Sequence, residues 1–211
     1  MEKKVSMLEG RFVRLVPLEA HHATDLFAAA ARPEIWRYMP LRGFSSVLDC
    51  ERWIAAAREA ADAGTEESFA IVNNASGAAI GSTRYLNITP LERAVEVGWT
   101  WLAPEHQRTP ANTEAKFLLL REAFEVREYL RVAFYTDAQN GRSRAALVRL
   151  GAVYEGTLRS HRARAINGFE RDSAVYSIIA SEWRKVRTDL ERRLAKPPRF
   201  GTAALINRNG P

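Results

Sequence analysis

The run Val95-Glu96-Val97-Gly98-Trp99-Thr100-Trp101-Leu102, followed by Ala103-Pro104-Glu105-His106-Gln107-Arg108-Thr109-Pro110-Ala111-Asn112-Thr113, decides how the rest of the chain is read. Its first half alternates, with Val95, Val97, Trp99 and Trp101 on one strand face and Glu96, Gly98, Thr100 and Leu102 on the other. Pro104 ends the strand and a polar loop runs to Asn112. Phe117, Leu120 and Phe124, beside Leu119, Ala123 and Val126, then mark a helix that is apolar on two faces and packs deep. Leu130 to Thr136 is strand-like again. Strand, loop, helix and strand make a βαβ unit whose helix N-terminus faces the loop. That terminus offers unpaired N–H groups and the positive end of a dipole to an anion, although many α/β proteins build the same turn for structure alone.

Working outward, Gly10 to Leu18 alternates as a first strand and Ala20 to Ala31 reads as a helix. Pro33 to Phe44 is an aromatic-bearing loop with Trp36, Tyr38 and Met39. Ser46-Val47-Leu48-Asp49 resembles a capping box, and Val47, Cys50, Ile54, Ala57 and Ala61 recur at helical spacing up to Gly64. Phe69 to Val72 and Ala79 to Leu86 form a hairpin around Asn73-Asn74-Ala75-Ser76-Gly77. Toward the C-terminus, Asn140 opens a short helix stopped by Gly151 after Leu150. Val153 to Leu158 and Arg171 to Ile179 are strands, joined by a basic loop with Arg159, His161, Arg162 and Arg164. A last helix from Ser181 aligns Trp183, Val186, Leu190 and Leu194. The expected organisation is one α/β domain over residues 1–195 and a flexible tail over 196–211.

Composition excludes several classes. Hydrophobic residues are 46% and charged residues 27% of the 211, the usage of a globular domain rather than a disordered segment or a membrane protein. Met1 to Val5 is not followed by an apolar stretch, so a secretory signal is not expected and the address is cytoplasmic. The single cysteine, Cys50, reads as a buried apolar residue. A net charge of +6 suits an anionic partner, but the basic residues are scattered, 26 of the 31 being arginine. The charge balance thus carries little weight for nucleic acid and some for a cofactor with several phosphates, and neither a nucleic-acid nor a membrane partner is expected. Four histidines, His21, His22, His106 and His161, share no ligand spacing, so no metal is expected.

Gln107 to Ala115, then Asn140-Gly141-Arg142-Ser143, Leu150-Gly151, Glu155-Gly156, and Arg171-Asp172 leading to Tyr176-Ser177, come in an order that resembles the GNAT acetyltransferases. Within them the chain is most similar to the branch containing the ribosomal-protein N-terminal acetyltransferases RimJ and RimL, over about Leu8 to Leu194. The resemblance implies a GNAT-like α/β (α+β) fold, a mixed, mostly antiparallel, twisted sheet of about seven strands flanked by helices. It also implies acetyl-CoA as co-substrate. Gln107, Arg108, Thr109, Pro110, Ala111 and Asn112 would wrap the pyrophosphate and Thr113 would lend its hydroxyl. Asn140 would meet the pantetheine arm, Arg142 and Arg144 the adenosine phosphates, and Ser143 the cofactor. Two departures stand out: Pro110 and Asn112 occupy the positions where the family pattern has small residues, and Leu147 stands where many members carry a tyrosine acid.

Acetyl transfer needs a neutral amine, and an alkyl ammonium of pKa about 10 must first lose a proton. Glu96 is the expected base, with Asp172 the second candidate; pairing with an arginine such as Arg84 is the structural alternative for Glu96. A backbone N–H near Leu102 would meet the oxyanion. Ser143 is the remaining candidate to deliver a proton to the thiolate, and Trp36 and Tyr38 are candidates to line the acceptor pocket. The expected activity is transfer of the acetyl group of acetyl-CoA, by direct attack, to a primary amine of a protein or peptide N-terminus or of a small molecule. The alternative is a CoA-binding regulatory protein without catalysis. Exposed edge strands and the last helix offer surfaces on which two copies could pair as a homodimer.

Overall fold

In the computed structural model, residues 7–163 and 170–196 are described. Arg164 and the expected tail beyond Lys196 lie outside them. The described chain builds an eight-stranded sheet in the order β1-β2-β3-β4-β5-β6-β8-β7. The strands are β1 (Leu8–Glu9), β2 (Val13–Pro17), β3 (Glu66–Asn73), β4 (Ala79–Thr89), β5 (Ala94–Leu102), β6 (Arg131–Asp137), β7 (Val153–Ala163) and β8 (Glu170–Ile179). The helices are α1 (Ala23–Ala29), α2 (Val47–Asp62), α3 (Pro110–Arg121), α4 (Gly141–Leu150) and α5 (Ala180–Ala195). The expected sheet is present, with the two-residue β1 as its eighth strand. β7 continues through Arg159, His161 and Arg162, where the sequence predicts a basic loop.

Local chemistry explains most boundaries. The Ser46 hydroxyl accepts the Asp49 N–H at 3.1 Å and starts α2. The Asn73 side chain accepts the N–H groups of Ala75 and Ser76 and closes the β3–β4 hairpin. Gly151, at φ 102°, takes the left-handed position that ends α4.

Two cores lie on opposite faces of the sheet. On one, α3, α4 and α5 bury Phe117 to Leu120, Leu147, Leu150 and Trp183 against Val95, Val97, Phe134 and Tyr176. On the other, α1 and α2 bury Leu26, Cys50 and Ile54 with Trp36, Ala70 and Trp101. Cys50 is fully enclosed, and burial pushes its thiol up to about 12.

The strict alternation expected along β5 fails at Trp99. Ser82 pairs with Trp101 but Arg84 pairs with Gly98, so β5 carries an extra residue opposite Thr83, and Trp99 adopts φ 48°. A bulge of this kind exchanges the faces of all that follows it. Val95 and Val97 therefore face α3, whereas Trp101 joins the α1–α2 core and Leu102 the α3 core.

The parallel pair β5–β6 is held by only three residue pairs, Ala94–Arg131, Val95–Val132 and Glu96–Ala133. Beyond Glu96 and Ala133 the two strands part. The gap opens toward the β5–α3 loop, and the bulge lies along its β5 wall.

Candidate active site

The loop after β5 is organised by its own side chains. A turn of 3-10 helix over Pro104–His106 leads to Gln107, whose amide donates to the Leu102 carbonyl at 2.9 Å. Arg108 takes the left-handed conformation at φ 61°. Thr109 is the N-cap of α3: its hydroxyl accepts the Ala111 N–H at 3.2 Å and donates to the His106 carbonyl at 2.7 Å. Pro110 is thus the first residue of the helix, where its fixed φ is preformed and its missing N–H costs no intrahelical bond. Asn112 lies inside the helical turn, so the glycine-like freedom that the family pattern implies at its position is not called on here. The left-handed residue of the loop is Arg108, which the sequence did not indicate. With the Ala111 N–H taken by the cap, the N–H groups of Thr109 and Asn112 remain outside the α3 ladder.

The first turn of α4 comes up beside this loop. Asn140 is its N-cap, the Oδ1 accepting the Ser143 N–H at 3.0 Å. Arg142 donates to the Gln107 Oε1 at 2.8 Å and ties the two helix starts together. Through that contact the loop that starts at Gln107 meets the first turn of α4, which carries Asn140 and the half-buried Ser143. Arg144 is engaged differently, donating to the Tyr176 hydroxyl at 3.1 Å and the Ala138 carbonyl at 3.2 Å. Leu147 is buried in the α3-side core and brings no hydroxyl.

Glu96 sits at the last paired position before the strands part and is only 4% exposed. It shares its face with Gly98; a Cβ there would come within 3.2 Å of Glu96 Oε1, so the absent side chain makes room for the carboxylate. Its Oε2 accepts from the Asn87 amide at 2.7 Å and lies 3.9 Å from the Arg162 guanidinium. Burial raises its pKa, opposed by Arg162, the Asn87 hydrogen bond and Arg171. Arg84 instead pairs with Glu66 at 2.9 Å.

The second carboxylate is not brought to the same place. Ala133, the partner of Glu96, pairs with Ser177. Asp172 stands five residues further along β8, about 16 Å at the usual strand rise. It is exposed, and its carboxylate accepts the Ser160 N–H at 2.8 Å across a bulge in β7.

On the α1–α2 face an aromatic cluster covers β4 and β5. Trp36 packs 5.2 Å from Trp101 and 5.4 Å from Phe44, while Phe44 lies 5.4 Å from Trp53. Trp36 is core, its indole N–H donating to the Ala30 carbonyl at 2.9 Å. Tyr38 is half-buried beneath Arg37. The Arg84 guanidinium is sandwiched between Trp53 at 4.9 Å and Trp99 at 4.7 Å. The indole N–H of Trp53 and the Nε of Arg84 are buried without a hydrogen-bond partner.

Two buried charges on α3 escaped the sequence reading. Glu114 accepts the N–H groups of Arg11, Phe12 and Val13 at 2.6–2.8 Å and anchors the start of β2. Lys116 lies under the β5–β6 gap, hydrogen-bonded to the Thr100 hydroxyl. Among the described residues no group of His, Cys, Asp and Glu is arranged to hold a metal ion, and no helix is long and apolar enough to cross a membrane.

A parted pair of parallel strands, a capped helix start beside the gap and a buried carboxylate at its closed end make up the candidate site. Residues 13–153 match the acetyltransferase (GNAT) domain family, and the chain belongs to that family. A GCN5-related N-acetyltransferase from Brucella melitensis is 31% identical, covering 92% of this chain and 87% of that one with a TM-score of 0.86. The protein named "Putative ribosomal N-acetyltransferase YdaF" of Bacillus subtilis (strain 168) is 33% identical over 107 residues, 51% of this chain and 57% of YdaF. Mycobacterium smegmatis RimJ, solved in complex with CoA-disulfide, shares the fold at 20% identity, with a TM-score of 0.77 over 89% of this chain and 94% of RimJ.

Proposed function

We propose that this protein transfers the acetyl group of acetyl-CoA to a primary amine at the N-terminus of a protein or peptide, with Glu96 as the base. The observation that carries this is the position of Glu96, buried where β5 and β6 part, held by Asn87 and raised in pKa by burial. A carboxylate of raised pKa is better matched to taking a proton at neutral pH. The capped start of α3, with Thr113 and Asn140 beside it, supports the pyrophosphate and pantetheine roles. The backbone of β5 between the bulge and Leu102 supports an oxyanion donor at the gap wall.

The acceptor class is supported by the chain's similarity to a relative. The name of YdaF points to ribosomal proteins. The buried Leu147 favours the second reading, a CoA-binding protein without turnover, only if no other group serves the leaving thiolate.

The test is thiol release from acetyl-CoA with a panel of short peptides bearing free N-termini, set against polyamines and aminoglycosides. Peptide-dependent release is expected. Glu96→Gln should lower kcat by about 10²-fold or more while sparing acetyl-CoA affinity. Full activity of that variant at neutral pH would move the base elsewhere.

A further inference from the structure

Lys116 is the one buried lysine among the described residues, 7% exposed on the inner face of α3. Its ammonium donates to the hydroxyl of Thr100 on β5, reaches that of Thr83 on β4 at 3.5 Å, and lies 6.0 Å from the ring centre of Phe134 on β6. These groups surround it, and none is a carboxylate or a second cation. A buried cation without a counter-ion is costly, so a structural account alone leaves it unexplained.

Its location supplies an account. Phe134 stands one residue past the last pair on β6 and Thr100 four residues past it on β5, beyond the bulge, so the ammonium lies beneath the gap from the α3 side. Thr83 is fully buried, whereas Thr100, the residue after the Trp99 bulge, is only partly buried. The Thr100 hydroxyl, which also meets the Thr83 hydroxyl at 2.7 Å and can donate to the Gly98 carbonyl at 3.3 Å, connects an enclosed ammonium with the wall of the gap, and turning its proton from the carbonyl toward the gap presents it to a sulfur there. Glu96 lies on the opposite face of β5, away from Val95 and Val97. A thioester in the gap would have a base on one side and a proton source on the other.

We infer that Lys116, acting through the Thr100 hydroxyl, supplies the proton taken up by the departing CoA thiolate. This rests on acetyl-CoA occupying the Gln107 to Thr113 loop, and it fills the role left open by Leu147. The neutral amine adds to the thioester carbon, moving the carbonyl electron pair onto oxygen. Collapse re-forms the carbonyl and breaks the C–S bond, whose electron pair stays on sulfur. Sulfur takes the Thr100 hydroxyl proton as the Thr100 oxygen takes one from the Lys116 ammonium, and Glu96 accepts the proton shed by nitrogen. The products are the amide and the CoA thiol, with Lys116 neutral and Glu96 protonated. After release, one proton passes through solvent from Glu96 back to Lys116. Thr100 is the group that meets sulfur, and Lys116 acts behind it. Burial alone brings the lysine down to about 7, near the working pH at which a general acid is most effective.

The experiment needs no acceptor. The full chain is saturated with CoA and its thiolate absorbance is followed against pH, for the wild type, Lys116→Met and Thr100→Val, with CoA affinity measured at low pH. In the wild type the bound thiol should ionise about tenfold or more readily than free CoA, its pKa falling from about 8.5 toward 7. Lys116→Met should bind CoA with similar affinity and return the thiol to its free value, and Thr100→Val should remove most of the shift. An unshifted thiol in a wild type that binds CoA, or a shift retained in Lys116→Met, would overturn the assignment of Lys116 alone. Failure of the wild type to bind CoA would overturn the cofactor reading and this inference together.

Discussion

Glu114 and Lys116 lie two residues apart on α3 and are almost equally buried, yet the regions they meet treat them oppositely. Around the start of β2, three backbone N–H groups converge on Glu114 and match its charge. Under the β5–β6 gap, Lys116 has two hydroxyls and no carboxylate. A matched buried charge fixes a chain segment, and removing it leaves donors stranded. An unmatched one is a standing cost, and such costs persist where the site needs a group with a displaced pKa. The same helix thus anchors the sheet with one residue and serves the gap with the other.

The largest expected effect is on the matched side. Glu114→Ala should cost about 3–5 kcal/mol of stability, because three N–H groups at the start of β2 lose a charged acceptor. Denaturant unfolding measures it, and a loss below about 1 kcal/mol would show that the carboxylate does not anchor β2.

A smaller effect of opposite sign belongs to the unmatched side. Lys116→Met should stabilise the protein at pH 6 by about 2 kcal/mol, since an apolar side chain replaces a desolvated ammonium. The lysine is held near 7 in the folded protein and near its ordinary value in the unfolded chain. Between pH 7 and about 10 the unfolded chain binds more protons, so wild-type stability should rise relative to the variant and the gap should narrow. Urea unfolding of both proteins at pH 6 and pH 9 checks this. A variant less stable than the wild type at pH 6, or a gap that widens with pH, would mean that the ammonium is matched after all.

The contrast also explains what the sequence could and could not convey. Alternation and helical spacing carry the strands, the five helices and the βαβ unit, because burial imposes those periods on every element with one apolar face. The β5 bulge breaks the rule, since Trp99 has a side chain as suited to an unbroken strand as Trp101 has. The sequence marks a polar loop and an open helix start, but not the Thr109 cap, and Pro110 and Asn112 read as departures because the loop is expected to run to Asn112 whereas the helix begins at Pro110. Glu114 and Lys116 stayed hidden because a polar residue on a helix with two apolar faces carries no mark of which strand it meets. Asp172 reads as a second candidate for the base because the order of motifs fixes neighbours in sequence and not the spacing of positions along and across the sheet.

The central claim is that the gap between β5 and β6 and the start of α3 hold acetyl-CoA. Calorimetric titration of the purified chain with acetyl-CoA tests it most directly. The account predicts saturable one-to-one binding with a dissociation constant of about 1–10 μM, close to −8 kcal/mol or slightly weaker. No detectable heat of binding at millimolar acetyl-CoA would contradict it.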